Sequence, residues 1–194
     1  MAETSATLLE RLNDRSDSVA WRRLVDLYSP LIKAWLRHHG VSANDAEDLT
    51  QDVLGVVVRE VSRFRHNGRA GAFRTWLRTI TTNCLRQSLR SRRLRFEPAS
   101  PPDLVALLDQ LEDPASDLSA RWDREHDRYV LERLLDLIEP EFAATTWQAF
   151  RRQIIDGVPA KAVAAELCLT VNAVLIAKSR VLSHLRREAD GLVD

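Results

Sequence analysis

Four carboxylates lie close together in the first third of the sequence: Asp45, Glu47, Asp48 and Asp52. Spacings of three, four and seven residues bring side chains to one face of a helix, where carboxylates could bind a divalent metal or act as general acid and base. The dipole of a helix also favours Asp and Glu in its first turn. Because the run contains no His and the sequence has no glycine-rich phosphate loop, the pattern favours a protein-docking face over a metal site.

The remaining residues that could do chemistry form no catalytic pattern. The five histidines stand in no HExxH, Cys-His or Ser-His-Asp arrangement. The two cysteines, Cys84 and Cys168, have neither a close partner nor a His at the spacing of a zinc site. We therefore expect a non-enzymatic protein with no cofactor and no bound metal, working in a reducing compartment.

A strongly basic stretch follows the carboxylates. From Arg59 to Arg95 there are 11 Arg and a single acid, Glu60. Guanidinium groups neutralise phosphates and aromatic rings stack on unpaired bases, so the interleaved Phe64, Phe73 and Trp76 favour contact with single-stranded or melted DNA. The alternative is a solvated arginine face above a core that includes the aromatic residues. Helical spacing favours the core for Phe73 and leaves both interpretations open for Trp76.

Composition limits the elements that can carry these residues. With 194 residues, 45% hydrophobic and 29% charged, the chain fits one ordinary domain or two small ones and is unlike disordered or collagen-like proteins. The formal net charge is zero, but residues 1–96 carry +7, residues 97–146 carry −9 and residues 147–194 carry +2. No apolar run is long enough for a membrane span, and no leader is recognisable. We expect a cytoplasmic protein without membrane insertion.

Apolar periodicity predicts an all-α fold. Three amphipathic helices are expected at about 19–40, 43–64 and 73–93, the second capped by Ser42, with a loop at 65–72. Four prolines and an acidic composition mark residues 97–118 as an interdomain linker with one short helix near 104–111. The predicted domains are therefore a helical bundle at 1–96 and a second small helical domain at 119–194.

The C-terminal segment has the spacing of a helix-turn-helix. Ala164 stands where the two helices would cross, Cys168 at the turn and Val174 at the core position beyond it. The second helix of such a motif can enter the major groove of DNA, whereas the alternative is a structural helical hairpin. The acidic linker is either a solvated spacer or a mimic of nucleic acid.

Two quoted stretches carry a family resemblance. DAEDLTQDVLGVVVREVSRF (45–64) followed by FRTWLRTITTNCL (73–85) closely resembles the second conserved domain of bacterial sigma factors, and the final stretch resembles their fourth domain. With only an acidic linker between them, the chain resembles the small extracytoplasmic-function (ECF) type. Its ending, NAVLIAKSRVLSHLRRE, resembles the planctomycete-like branch.

The resemblance implies a transcription initiation factor that binds core RNA polymerase at its β′ clamp and β flap and directs it to promoter DNA. An anti-sigma protein is a further partner that the family allows. The implied polymerase contacts are Asp45, Asp48, Leu49, Gln51, Asp52 and Val53. The implied contacts to a melted −10 element are Arg63, Arg65, Asn67, Arg69, Arg74, Trp76, Arg78, Asn83 and Arg86. The implied contacts to a −35 element are Lys161, Thr170, Asn172, Lys178 and Arg180.

Three other functions are compatible with parts of the sequence. A helix-turn-helix repressor acting without polymerase would share the C-terminal pattern, although it would not explain the aromatic residues and arginines around the loop at 65–72. A metal-dependent hydrolase would use the carboxylates at 45–52, and a purely structural protein would need an acidic partner for its +7 domain.

Overall fold

All regular structure in the described part of the chain is helical. The structure, a computed structural model, describes residues 7–64, 71–95 and 102–193. Within these ranges there are two single 3₁₀ turns, at Val61–Arg63 and Glu139–Glu141, and nine α-helices. The α-helices are α1 Leu8–Arg11, α2 Ser18–His38, α3 Ala43–Glu60, α4 Ala72–Arg95, α5 Pro102–Glu112, α6 Asp117–Ile138, α7 Ala144–Ile154, α8 Ala160–Glu166 and α9 Val171–Ala189. The all-α prediction is confirmed.

The described residues as far as Val130 form one compact unit, built on α2, α3 and α4. Ser42 caps α3 as predicted, because its hydroxyl accepts a hydrogen bond from the Asp45 backbone N–H at 3.2 Å. The predicted apolar stripe of α4 is buried at Phe73, Leu77 and Ile80. On α2 the buried stripe is rotated slightly from the predicted one, since Leu27 is buried and Val25 is exposed.

The first unit also takes in α5 and the first half of α6. Leu108 and Leu111 of α5 are buried, and α5 packs on α4. On α6, Trp122 packs edge-on against Trp35 of α2, with ring centroids 4.8 Å apart. From residue 102 onward, the predicted linker at 97–118 contains α5, near the short helix expected there, and the start of α6. The two compact units divide inside α6, between Val130 and Leu131.

Leu131–Asp190 form the second compact unit, made of the end of α6 with α7, α8 and α9. One cluster of its core joins α7, α8 and α9 through Ala149, Val163 and Val174, each fully buried. A second joins α6, α7 and α9 through Ile138, Phe150 and Val181. The first of these clusters packs α8 against α9, the two helices of the predicted motif.

The turn between α8 and α9 depends on one residue in a left-handed conformation. Cys168 has φ of 54°, and the Leu169 backbone N–H closes the turn on the Ala164 carbonyl at 2.9 Å. Left-handed backbone is unfavourable for residues with a Cβ and costs glycine little. The sequence pattern, which usually has glycine at this place, therefore located the turn correctly.

We expect Cys168→Gly to stabilise the second unit by about 0.5–1 kcal/mol, because it relieves the left-handed strain at some cost in chain entropy. Chemical denaturation followed by circular dichroism measures this. Cys84→Ser, at a half-buried position inside α4, is the control for loss of a thiol. A Cys168→Gly chain less stable than the parent would contradict the strain argument.

Candidate functional site

The acidic face of α3 is the first of three surfaces that the predicted residues occupy. Asp48, Gln51 and Asp52 are exposed and, at spacings of three and four residues, share one side of the helix. Asp45 is half-buried and accepts a hydrogen bond from the Ser42 hydroxyl at 2.6 Å. This face carries negative charge at neutral pH and is available to a basic partner.

The two apolar residues predicted for polymerase contact lie on the other side of α3. Leu49 and Val53 are 4% and 1% exposed and belong to the core of the first unit. They hold the acidic face in place from beneath and do not lie on its surface. Among the described residues, no group of three or more His, Cys, Asp or Glu side chains is placed to hold a metal ion.

The second surface surrounds Trp76 at the start of α4. Trp76 is half-buried, with its ring centroid 5.1 Å from that of Phe64 and 5.5 Å from that of Phe73. Phe73 itself is fully buried, as its spacing predicted. An open pocket of about 460 Å³ lies beside the indole, and its described lining includes Arg63 and Thr75.

The predicted arginines of α4 do not lie free on this surface. The side chains of Arg74 and Arg78 are only 13% and 6% exposed, and that of Arg86 is 30% exposed. Each forms an ion pair with a carboxylate of α5 or α6. Arg63 and Asn83 are exposed, whereas Arg65, Asn67 and Arg69 lie outside the described residues.

The sequence did not single out the carboxylates that lie against these arginines. Asp109 and Glu112 of α5 contact Arg86, and Asp123 and Asp127 of α6 contact Arg74. The only signal in the sequence was the excess of acid over residues 97–146, opposite in sign to the preceding domain. The opposite charges of the two segments indicate that they attract each other, but they do not identify the residues that form ion pairs.

The pKa of Asp127 reflects its place in this network. Partial burial raises the pKa of Asp127. The hydrogen bonds and charges of His126 and Arg74 lower it by more than burial raises it, so the net shift of the pKa is downward. The His126 ring nitrogen Nδ1 lies 2.9 Å from Asp127, and the Arg74 guanidinium lies 2.5 Å from its other oxygen. Asp127 is therefore ionised at neutral pH.

A lowered pKa predicts a specific acid sensitivity. The ionised Asp127 stabilises the folded protein at pH values above its pKa in the unfolded chain, which is about 4. This stabilisation is lost as the pH falls through the lower pKa that Asp127 has in the folded protein. We expect Asp127→Asn to lower the melting temperature at pH 7, with the difference from the parent shrinking below about pH 4. Differential scanning fluorimetry across pH checks this, and a difference that stays constant down to pH 3 would contradict it.

The third surface is the exposed side of α9 in the second unit. Asn172, Ile176 and Arg180 recur every four residues, all exposed, so they form a line along the helix. Lys161 on α8 is exposed and Lys178 is half-buried. Thr170 is exposed and caps α9, since its hydroxyl accepts a hydrogen bond from the Ala173 N–H at 3.1 Å.

Apolar side chains interrupt the polar line on α9. Leu175 and Ile176 are 46% and 42% exposed, and Val171 is similarly exposed in the first turn. Such a surface can touch the methyl groups of thymines as well as donate hydrogen bonds to base edges. It differs from the acidic face of α3 in both charge and polarity.

No single helix among the described residues is both long and apolar enough to cross a membrane. The pair α8 and α9 meets that criterion only when taken together, and it is bent by 107° at the turn.

Comparison with known proteins identifies a matching family model and two similar proteins. A family model described as sigma-70 region 2 matches residues 24–95, which covers most of α2 and all of α3 and α4. The chain is 29% identical over 153 residues to the ECF RNA polymerase sigma factor RpoE of Cereibacter sphaeroides, covering 72% of this chain and 81% of that protein.

A second relative is the ECF RNA polymerase sigma factor SigE of Mycolicibacterium smegmatis, 30% identical over 144 residues. That alignment covers 73% of this chain and 52% of the relative, so the chain spans about half of its length. Neither relative is described as a repressor. Together with the region 2 match at 24–95, these similarities support an ECF RNA polymerase sigma factor.

Proposed function

We propose that this protein is a transcription initiation factor that binds core RNA polymerase, directs it to specific promoters and helps to open them. The observation that carries the proposal is that the region 2 match at 24–95 coincides with the bundle that displays the acidic face of α3 and the pocket beside Trp76. The repressor alternative has no comparable support. The factor is proposed to do no chemistry of its own, in keeping with a non-enzymatic family, and to act in the cytoplasm, where RNA polymerase works.

The proposed contact with core polymerase is the acidic face of α3 on the β′ clamp. Asp48, Gln51 and Asp52 are exposed together, so a basic partner could meet all three at once. Complementary charge of this kind speeds association and fixes the register of the contact. The second unit is proposed to contact the β flap, and an anti-sigma protein is proposed as a partner that would compete for these surfaces.

The proposed −10 site is the surface around Trp76. An indole that is half-exposed beside an open pocket can stack on an unpaired base, and the exposed Arg63 at the rim can meet the phosphate next to it. Unstacking a duplex step costs a few kcal/mol, which stacking and phosphate contacts can offset. Asn83, exposed two turns along α4, is proposed to contact the upstream edge of the element.

The proposed −35 site is the exposed line on α9, with Lys161 of α8 on a phosphate. Asn172 and Arg180 are the hydrogen-bonding members, with Thr170 and Lys178 beside them. Because Leu175 and Ile176 are exposed between them, we propose that part of the −35 sequence is read through thymine methyl groups. The two-helix unit of α8 and α9 would then act as a helix-turn-helix.

Reconstituted transcription tests the proposal. Purified protein is mixed with core RNA polymerase and fragmented genomic DNA of the source organism, and the 5′ ends of the new transcripts are sequenced. Discrete starts that share upstream −35 and −10 sequences, absent with core alone, are expected. If the protein does not bind core and instead binds duplex operators as a dimer, the proposal fails and the repressor alternative replaces it.

A further inference from the structure

Three arginines that the family resemblance implies as −10 contacts, Arg74, Arg78 and Arg86, are paired with acidic residues of the same compact unit. We use the name acidic arm for residues 102–130, that is, α5 and α6 as far as Val130. Arg86 of α4 binds two carboxylates of α5, with Nη2 2.7 Å from Asp109 and Nη1 2.5 Å from Glu112. The two carboxylates lie 23 and 26 positions after Arg86 in the sequence. Their ion pairs with Arg86 hold α5 against α4.

A second set of contacts binds α6 to the same helix. Asp123 lies 3.0 Å from Nη1 of Arg78 and 3.3 Å from Nε of Arg74, and Asp127 lies 2.5 Å from Nη1 of Arg74. Arg78 also donates to the Ser119 carbonyl at 3.4 Å. The guanidinium groups of Arg74 and Arg78 therefore lie beneath α6, with little surface left for a phosphate.

Apolar contacts hold the acidic arm in this position. Leu108 and Leu111 are 1% and 0% exposed, and Trp122 is 3% exposed against Trp35. His126 stacks on Tyr28 with ring centroids 5.8 Å apart. The hydroxyl of Ser119 joins the two arm helices by donating to the Leu111 carbonyl at 3.0 Å.

We infer that the acidic arm is an internal competitor for promoter DNA, whose four carboxylates occupy on α4 the places that phosphates would take. The inference rests on the proposed function, because it concerns the same −10 surface. Arg74, Arg78 and Arg86 cannot pair with the acidic arm and with DNA phosphates at the same time. Binding of DNA through these arginines therefore requires the acidic arm to move away from α4. Displacing the acidic arm from α4 costs free energy, and this cost reduces the apparent affinity of the free protein for DNA.

The most direct test weakens the arm at its exposed end. In the arm variant, Asp109→Asn and Glu112→Gln remove two carboxylates that are 68% and 41% exposed, so the fold is preserved. The control variant, Glu125→Gln and Asp136→Asn, changes the net charge equally. In the described part of the structure, Glu125 forms an ion pair with Arg121 and Asp136 forms one with Arg133, and both arginines belong to α6 itself. Both proteins are full-length and free of polymerase.

The probe is a short fluorescein-labelled single-stranded DNA of mixed sequence, and the readout is the dissociation constant from fluorescence anisotropy at several salt concentrations. The arm variant is expected to bind about threefold to tenfold more tightly than the control variant, as the loss of two partly exposed ion pairs allows. Its affinity should also fall more steeply with salt, because a freed arginine adds a phosphate contact. Equal affinities and equal slopes for the two variants would overturn the inference.

A third protein identifies the arginine responsible. Adding Arg86→Gln to the arm variant should abolish the gain in affinity, whereas adding Arg90→Gln, at an exposed residue one turn along α4, should leave most of it. A gain that survives Arg86→Gln would also overturn the inference, because it would not depend on the arginine that Asp109 and Glu112 cover. Asp123→Asn with Asp127→Asn provides a second arm variant, expected to be less stable because it leaves the buried Arg78 without its carboxylate.

Failure of this inference and failure of the proposed function can be told apart. If the parent protein initiates from discrete promoters but the arm and control variants bind DNA equally, only the competing arm is excluded. If the parent gives no starts with core polymerase while the arm variant binds DNA more tightly than the control, the arm covers a nucleic-acid surface in a protein that is not an initiation factor.

Discussion

Trp76→Ala is expected to slow promoter opening by roughly tenfold to a hundredfold, because stacking of one base on an aromatic side chain is worth about 1–3 kcal/mol. The indole is half-exposed beside the pocket at the start of α4, and it packs on Phe64 and Phe73. The rate of open-complex formation on duplex promoter, followed by a fluorescent base analogue in the −10 element, measures the effect.

The controls separate opening from folding and from polymerase binding. Trp76→Phe keeps an aromatic ring and should retain most of the rate. Trp76→Ala should bind core polymerase as tightly as the parent, since the acidic face of α3 is unchanged. On a template already melted at −10 the variant should recover most of its activity, and equal impairment on melted and duplex templates would contradict a role in strand separation.

Charge reversal on α3 is the second large effect that we expect. Asp48→Lys with Asp52→Lys should weaken binding to core polymerase by at least about tenfold, because like charges facing each other across an interface cost several kcal/mol. Both side chains are exposed, so the substitutions leave the buried side of α3 intact. The affinity is measured by titrating labelled core polymerase with each variant.

A matched substitution controls for net charge. Asp113→Lys and Asp117→Lys add the same charge at exposed positions of the first unit to which no polymerase contact is assigned, and they should leave the affinity within about twofold of the parent, as expected for surface charges outside an interface. Equal weakening by both double variants would indicate a general electrostatic effect. Unchanged affinity of the Asp48 and Asp52 variant would exclude α3 as the docking face.

Local features of the sequence predicted the helices well, because helical periodicity and caps are local. The spacing of Phe73, Leu77 and Ile80 gave the buried side of α4, and Ser42 gave the start of α3. Cys168 marked the turn before α9 even though glycine is the usual residue there. In each case the physical cause lies within a few residues.

Contacts between distant residues escaped the sequence analysis. Arg74 meets Asp127 across 53 residues and Arg78 meets Asp123 across 45. Periodicity says which side of a helix is polar, but it does not say which other helix lies against that side. For this reason the sequence predicts α5 only as a short helix within a linker and does not show which carboxylates lie against the arginines of α4.

The most direct test of the central claim is permanganate footprinting of a promoter found by start-site mapping. Permanganate oxidises unpaired thymines, so reactivity reports strand separation at single-nucleotide resolution. The account predicts reactive thymines across the −10 element only when this protein and core polymerase are both present, and fewer of them with Trp76→Ala. Unchanged duplex protection in the presence of both proteins would contradict it, and so would the same reactive thymines with core polymerase alone.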